Sequence, residues 1–183
     1  MKLFHKKSKG SVKHHKSGIK KAGKTRKNMS LSSASAAGSG SAVQILQTFE
    51  QKIVVKFLEI LNCVKLYHWK TYSYATHKAT DDLYSKLNEN FDQFVETLLG
   101  KGSASFLGKG AERVNLMGVK QLSLKDCDSH KNFQREMEEF KSYLVDLDNE
   151  KAMQLMSNTD LFNIRDEIMG NVNQFLYLFT FNQ

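Results

Sequence analysis

The stretch HWKTYSYATHKATDDLYSKLNENFDQFVETLLG, residues 68–100, decides both how this chain folds and what it could hold. Within it Leu83, Leu87, Phe91, Phe94 and Leu98 recur three and four residues apart. That is the core stripe of an α-helix, expected from about Thr76 to Leu99 and ended by Gly100 and Gly102. Beside the stripe stand His77, Asp81, Asp92 and Glu96, which at about 100° per residue fall near 0°, 40°, 60° and 100° on one face. His68 and Trp69 precede them. Histidine and carboxylate are the residue types that hold iron, zinc or manganese, so the face is a candidate metal site. Asp81 and Asp92 lie about 16 Å apart along the axis, too far to share one ion. One helix alone cannot make the site. A two-fold axis across it would set His77 and Asp81 of one chain against Asp92 and Glu96 of a second.

Working outward, Leu46, Phe49, Ile53, Phe57, Ile60, Leu61 and Val64 keep the same helical spacing, which predicts a long helix from Val43 to about Trp69. The link TYSYA joins it to the next helix as a hairpin. Residues 101–125 lack a period and are expected to form an irregular crossover with one short helix around 111–118. Further helices are expected from about Ser129 to Asn149, with Phe133, Met137, Phe140, Tyr143, Leu144 and Leu147 inward, and from about Asp160 to Phe179, with Leu161, Ile164, Ile168, Val172, Phe175, Leu176 and Phe179 inward. There is no proline in the chain to break them. Two long hairpins joined by a long crossover predict an all-α, ferritin-like four-helix bundle over residues 43–183.

The charge is divided. The net charge is +8, yet residues 1–30 hold ten lysines and Arg26 with no acid before Glu50, so the body carries about −3. Lys2, Lys6, Lys7, Lys9, Lys13, Lys16, Lys20, Lys21, Lys24, Arg26 and Lys27 are followed by SLSSASAAGSGSA at 30–42. Residues 1–42 are therefore expected to be a disordered basic arm and linker. Such an arm binds polyanions by releasing counterions, with nucleic acid, probed without base preference, as the first partner. A nuclear-import signal, a capsid contact, or a membrane-surface contact through Leu3 and Phe4 are the other readings. No window is long and apolar enough to span a bilayer and the opening residues lack a signal-peptide core, so an intracellular protein is expected. Cys63 and Cys127 form no CxxC pair and are expected to be buried free thiols in a reducing compartment.

Singly, each ligand type is ordinary: acids four residues apart decorate solvated helices, histidines cap and pack helix ends, and a lone tryptophan is usually core. Together they form a pattern. Residues 68–96 resemble the signature region of the Dps family, the miniferritins: His-Trp at the end of the first helix (His68, Trp69), then a His and an Asp four residues on (His77, Asp81), then D-x3-E eleven residues further (Asp92, Glu96). The interval between the two histidines is about three residues shorter than that family's. The final NTDLFNIRDEIMGNVNQFLYLF is similar to the family's last helix. HWKTYSYATHKATDDLY is also similar to an uncharacterised group of proteins from large DNA viruses, which would place the chain in a virion or viral factory.

The resemblance implies a hollow dodecamer that oxidises ferrous iron, with hydrogen peroxide or dioxygen, at non-haem iron sites shared by two-fold-related subunits, stores the ferric product, and binds DNA through its arm. His68, His77 and Asp81 of one subunit and Asp92 and Glu96 of the other would be the ligands. Trp69 would take up oxidising equivalents. Asp146, Asp148 and Glu150 would be candidates for an acidic entry pore. The competing reading is a structural DNA-packaging or capsid-associated protein that uses the same bundle without ferroxidase activity.

Overall fold

The computed structural model describes residues 33–103, 107–108, 113–116, 118–119 and 121–182. Its first helix, α1, runs from Ser33 to Lys70. It begins ten residues before the expected Val43, so part of the expected linker is helix. Alanines at 34, 36, 37 and 42 and the lack of proline let serine and glycine be carried into a helix whose apolar spacing continues downstream. The lysines and arginine of the basic arm lie outside the described residues.

A three-residue link, 71–73, leads to α2, Tyr74–Lys101. Ser73 caps it by accepting a hydrogen bond from the Thr76 N–H at 3.2 Å, which starts the helix two residues earlier than the apolar spacing alone indicates. After the crossover, Ser129 caps α3, His130–Asp146, through the Asn132 N–H at 3.3 Å. A 3₁₀ turn at Leu147–Asn149 and a four-residue helix, α4 (Lys151–Gln154), precede α5, Thr159–Phe179. The expected short helix at 111–118 is not found where the chain is described. Residues 113–116 have no regular structure and Gly118 turns with φ +96°, a left-handed conformation that favours glycine.

Cross-helix contacts give the directions. On α2 and α5, Lys86 donates to Gln174 at 3.3 Å, Asn171 donates to Asn90 at 2.8 Å, and Lys101 pairs with Asp160, so the two helices are antiparallel. Tyr67 stacks on Phe133 at 4.1 Å while Phe57 meets Phe140 edge-on at 6.4 Å, so α1 and α3 are antiparallel too. His68 against His77 and Glu50 against Ser103 do the same for α1 and α2. It follows that α2 and α3 run the same way, which is what the long crossover is for: it returns the chain along α1. Its attachments climb that helix in order. The Ser103 N–H donates to Glu50 at 2.7 Å, the Gln51 amide donates to the Asn115 carbonyl at 2.9 Å, the Ser123 N–H donates to Glu59 at 2.8 Å, and Cys127 meets Cys63. The described residues thus form an all-α arrangement of four long helices with a long connection between the second and third.

The core is where the apolar stripes place it. Every inward residue expected on α2 and α5 is buried, and on α1 and α3 only Leu61 and Tyr143 stop at half-buried. Phe57 stacks on Phe91 at 4.0 Å and meets Phe94 edge-on at 5.3 Å. Each such side chain contributes about 1.5–3 kcal/mol by leaving water. At the far end of α2 the buried Glu50 carboxylate also accepts the Ser103 hydroxyl at 3.1 Å. It lies so close to Gly102 that a Cβ there would come within 2.1 Å of its oxygen. Gly102 is required for that approach. No helix among the described residues is long and apolar enough to cross a membrane.

Candidate functional site

The α1–α2 turn brings His68 and His77 face to face. Their rings stack with centroids 3.9 Å apart and planes inclined by 25°. Each Nδ1 is engaged by the other residue's backbone: His68 Nδ1 lies 3.0 Å from the His77 carbonyl oxygen, and His77 Nδ1 lies 3.1 Å from the His68 carbonyl oxygen. A carbonyl oxygen only accepts, so both Nδ1 atoms carry a proton, and in the neutral rings the lone pair is on Nε2. Neither Nε2 has a hydrogen-bond partner among the described residues. Metal-binding histidines are oriented in this way, with the ligating nitrogen set by the bond the other nitrogen makes.

One threonine backs the pair and a second stands behind it. Thr80, fully buried, lies with its hydroxyl 3.2 Å from His68 Nδ1 and donates back to the Thr76 carbonyl at 2.8 Å and the His77 carbonyl at 3.0 Å. Thr76, also buried, stands one turn earlier. Neither was singled out from the sequence. The available signal was a polar residue at one position before and three after His77, on the helix side facing α1.

The acids stand apart from the histidines within one chain. Asp81, Asp92 and Glu96 are exposed along α2, and among the described residues no three of His, Cys, Asp and Glu gather closely enough to hold a metal ion. None of the three acids forms an ion pair among the described residues. Their neighbours differ: Asp82 pairs with Lys86 at 2.9 Å, Asp160 with Lys101, and Asp148 with Arg165 at 2.5 Å. Of the acids considered for a pore, Asp148 is therefore neutralised within the chain, while Asp146 is exposed and Glu150 half-buried. Between α1 and α2, beside Asp92, runs a groove lined by Val54, Leu58, Leu61, Asn88 and Val95.

Trp69 is not core. It is 68 % exposed, with the Lys65 ammonium 5.8 Å from its ring centroid, and Tyr72 and Tyr74 are exposed in and beside the same turn. The third histidine of the bundle behaves as a packing residue. His130 stacks on Phe179 at 3.6 Å, and burial holds its pKa below the ordinary imidazole range.

No curated protein and no solved structure matches this chain. One family model does, over residues 68–179, from the first histidine of the stacked pair to the last residue of α5. That span is more than half of the chain, and the protein belongs to that family, a family of unknown function (DUF5856).

Proposed function

We propose that the protein is a Dps-like iron-binding ferroxidase whose site is completed by a two-fold-related copy of itself, and that its basic arm binds DNA without base preference. The observation that carries this reading is the reciprocal His68–His77 pairing, which leaves two imidazole Nε2 atoms free beside a helix with three unpaired carboxylates. The direction of the helices supports it as well: parallel α2 and α3 with one long crossover is the connectivity of ferritin-like bundles rather than of up-and-down ones.

In this reading His68, His77 and Asp81 of one subunit face Asp92 and Glu96 of the partner subunit across the groove between α1 and α2. Ferrous iron is the substrate. The imidazoles bind the ferrous ion, the carboxylates favour the ferric product, and positions left open admit the oxidant. Two ferrous ions supply the two electrons that reduce one peroxide to water. In this reading the exposed Trp69, next in sequence to His68, intercepts stray oxidising equivalents. A shell of such subunits, a dodecamer by resemblance, would present many arms and so multiply weak phosphate contacts.

The test is ferrous oxidation followed by the growth of ferric absorbance, comparing the unaltered protein with Asp92→Ala/Glu96→Ala. The double variant should fold normally, because both side chains are exposed, and should lose oxidation. Equal rates would leave the bundle as a structural, DNA-packaging or capsid-associated scaffold. For the arm, deletion of residues 1–30 should abolish a DNA mobility shift at physiological salt; a retained shift with the same salt slope would place the DNA contact elsewhere.

A further inference from the structure

The two cysteines meet. Cys63 sits on α1, fully buried, and Cys127 lies in the irregular strand of chain just before α3, 6 % exposed. Their sulfur atoms are 3.7 Å apart, in contact but not bonded. We propose that Cys63 and Cys127 are a peroxide-responsive disulfide pair that fastens the end of the crossover to α1.

The geometry favours closure from one side. A disulfide needs the sulfurs about 2.05 Å apart, so the gap to close is about 1.7 Å. Cys63 is fixed in the middle of a long helix and packed in the core. Cys127 is on chain without regular structure, held on its N-terminal side by Lys125 to Glu136 at 3.3 Å and by Asp126 to Lys70. Those two ion pairs keep Cys127 over Cys63, while its own backbone is free of helical hydrogen bonds and can supply the movement.

Cys127 is the first to react, because it is the one with exposed surface. Its sulfur attacks a peroxide oxygen, the O–O bond breaks, and the departing hydroxide leaves as water with the thiol's proton. The Cys63 sulfur then attacks the resulting sulfenic sulfur. The S–S bond forms, the S–O bond breaks, and the second hydroxide leaves as water with the Cys63 proton. Two thiols lose two electrons and two protons, and one peroxide becomes two waters. Burial raises the pKa of both thiols, against which the hydrogen bond from Cys63 favours the thiolate on Cys127. Few thiolates are present at neutral pH, so the pair responds to sustained peroxide rather than to traces.

The experiment uses the full chain without metal, so that its outcome is independent of iron chemistry. After peroxide treatment, unfolding and alkylation, intact mass should show one chain lighter by about 2 Da with both cysteines protected from alkylation, and a reductant should reverse this. Proteolytic peptides should be joined through Cys63 and Cys127. In Cys63→Ser, which cannot complete the bond, dimedone should label Cys127. The proposal is overturned if both thiols alkylate fully after a dose that already oxidises methionine, or if the disulfide joins two chains. A readout of the fold closes the argument: the oxidised form should be cut more slowly by protease within 121–129 than the reduced form, and equal rates would contradict the fastening role.

Discussion

The two polar stripes of α2 differ in what they do with their charges. On the side facing α5, Asp82, Lys86, Asn90 and Lys101 all find partners within the chain. On the side flanking α1, Asp81, Asp92 and Glu96 find none among the described residues, and the histidine that begins the stripe is locked by its Nδ1 with its other nitrogen left open. One helix thus carries a stripe that serves the fold and a stripe the fold does not use. The second is where function is expected, because an unpaired acid stripe beside an oriented imidazole pair adds nothing to the stability of a single chain.

The comparison breaks most visibly at His77. His77→Ala should lower the rate of ferrous oxidation at least about a hundredfold while costing only about 1 kcal/mol in thermal or denaturant unfolding, the scale of one lost hydrogen bond. Asp82→Asn, its counterpart on the α5 side, should leave oxidation unchanged and cost at most about 0.5 kcal/mol, since the Asp82–Lys86 pair is largely exposed. If both variants slow oxidation alike, the distinction between the stripes fails.

A second, smaller effect sharpens the role of the threonine behind the pair. Thr80→Val keeps the shape but removes the hydroxyl 3.2 Å from His68 Nδ1. Iron affinity, measured by titration, should fall about tenfold, as for other groups that orient a ligating histidine. Unaltered affinity would mean that the backbone carbonyls alone set the ring.

What could be read from the residues follows the same division. The stripes of α2, α3 and α5 were legible to within a few residues because apolar side chains three and four apart have one stable use. The start of α1 was not, since SASAAGSGSA has the composition of a linker and only its alanines and the lack of proline favour a helix. The crossover carries no period, so its path along α1 depends on Glu50, Gln51 and Glu59, whose roles are set by residues more than fifty positions away. The four residues of α4 are too few to show a repeat. In the candidate site, the helix face of the acids could be read directly. The stacking of His68 on His77 could not, because it is made by the three-residue turn between two helices, and the pairing of Asp148 with Arg165 is equally a product of the packed fold.

A further effect, on stability alone, lies on the side that serves the fold. Lys101 holds the Asp160 carboxyl below its ordinary range by hydrogen bonding and charge. A carboxyl lowered in the folded state contributes stability that is present above its unfolded pKa and lost as the pH falls through its folded value. Lys101→Met should therefore cost up to about 1 kcal/mol at neutral pH, reduced by the exposure of the pair, and the difference from the unaltered protein should narrow in acid to what the Lys101 hydrogen bond to the Ser157 carbonyl at 3.0 Å contributes. A difference as large in acid as at neutral pH would assign the loss to the Ser157 carbonyl bond and the lysine stem rather than to the ion pair.

The central claim, that the unused stripe is half of a site completed by a second copy, is tested most directly by mixing two inactive subunits. His77→Ala/Asp81→Ala and Asp92→Ala/Glu96→Ala are each expected to be inactive in ferrous oxidation. Co-refolded in equal amounts, they should recover about a quarter of the unaltered rate, because half the dimers are mixed and each mixed dimer holds one intact site of two. Mixtures that exchange subunits, as mass measurement would show, yet stay as inactive as the separate variants would contradict a shared site.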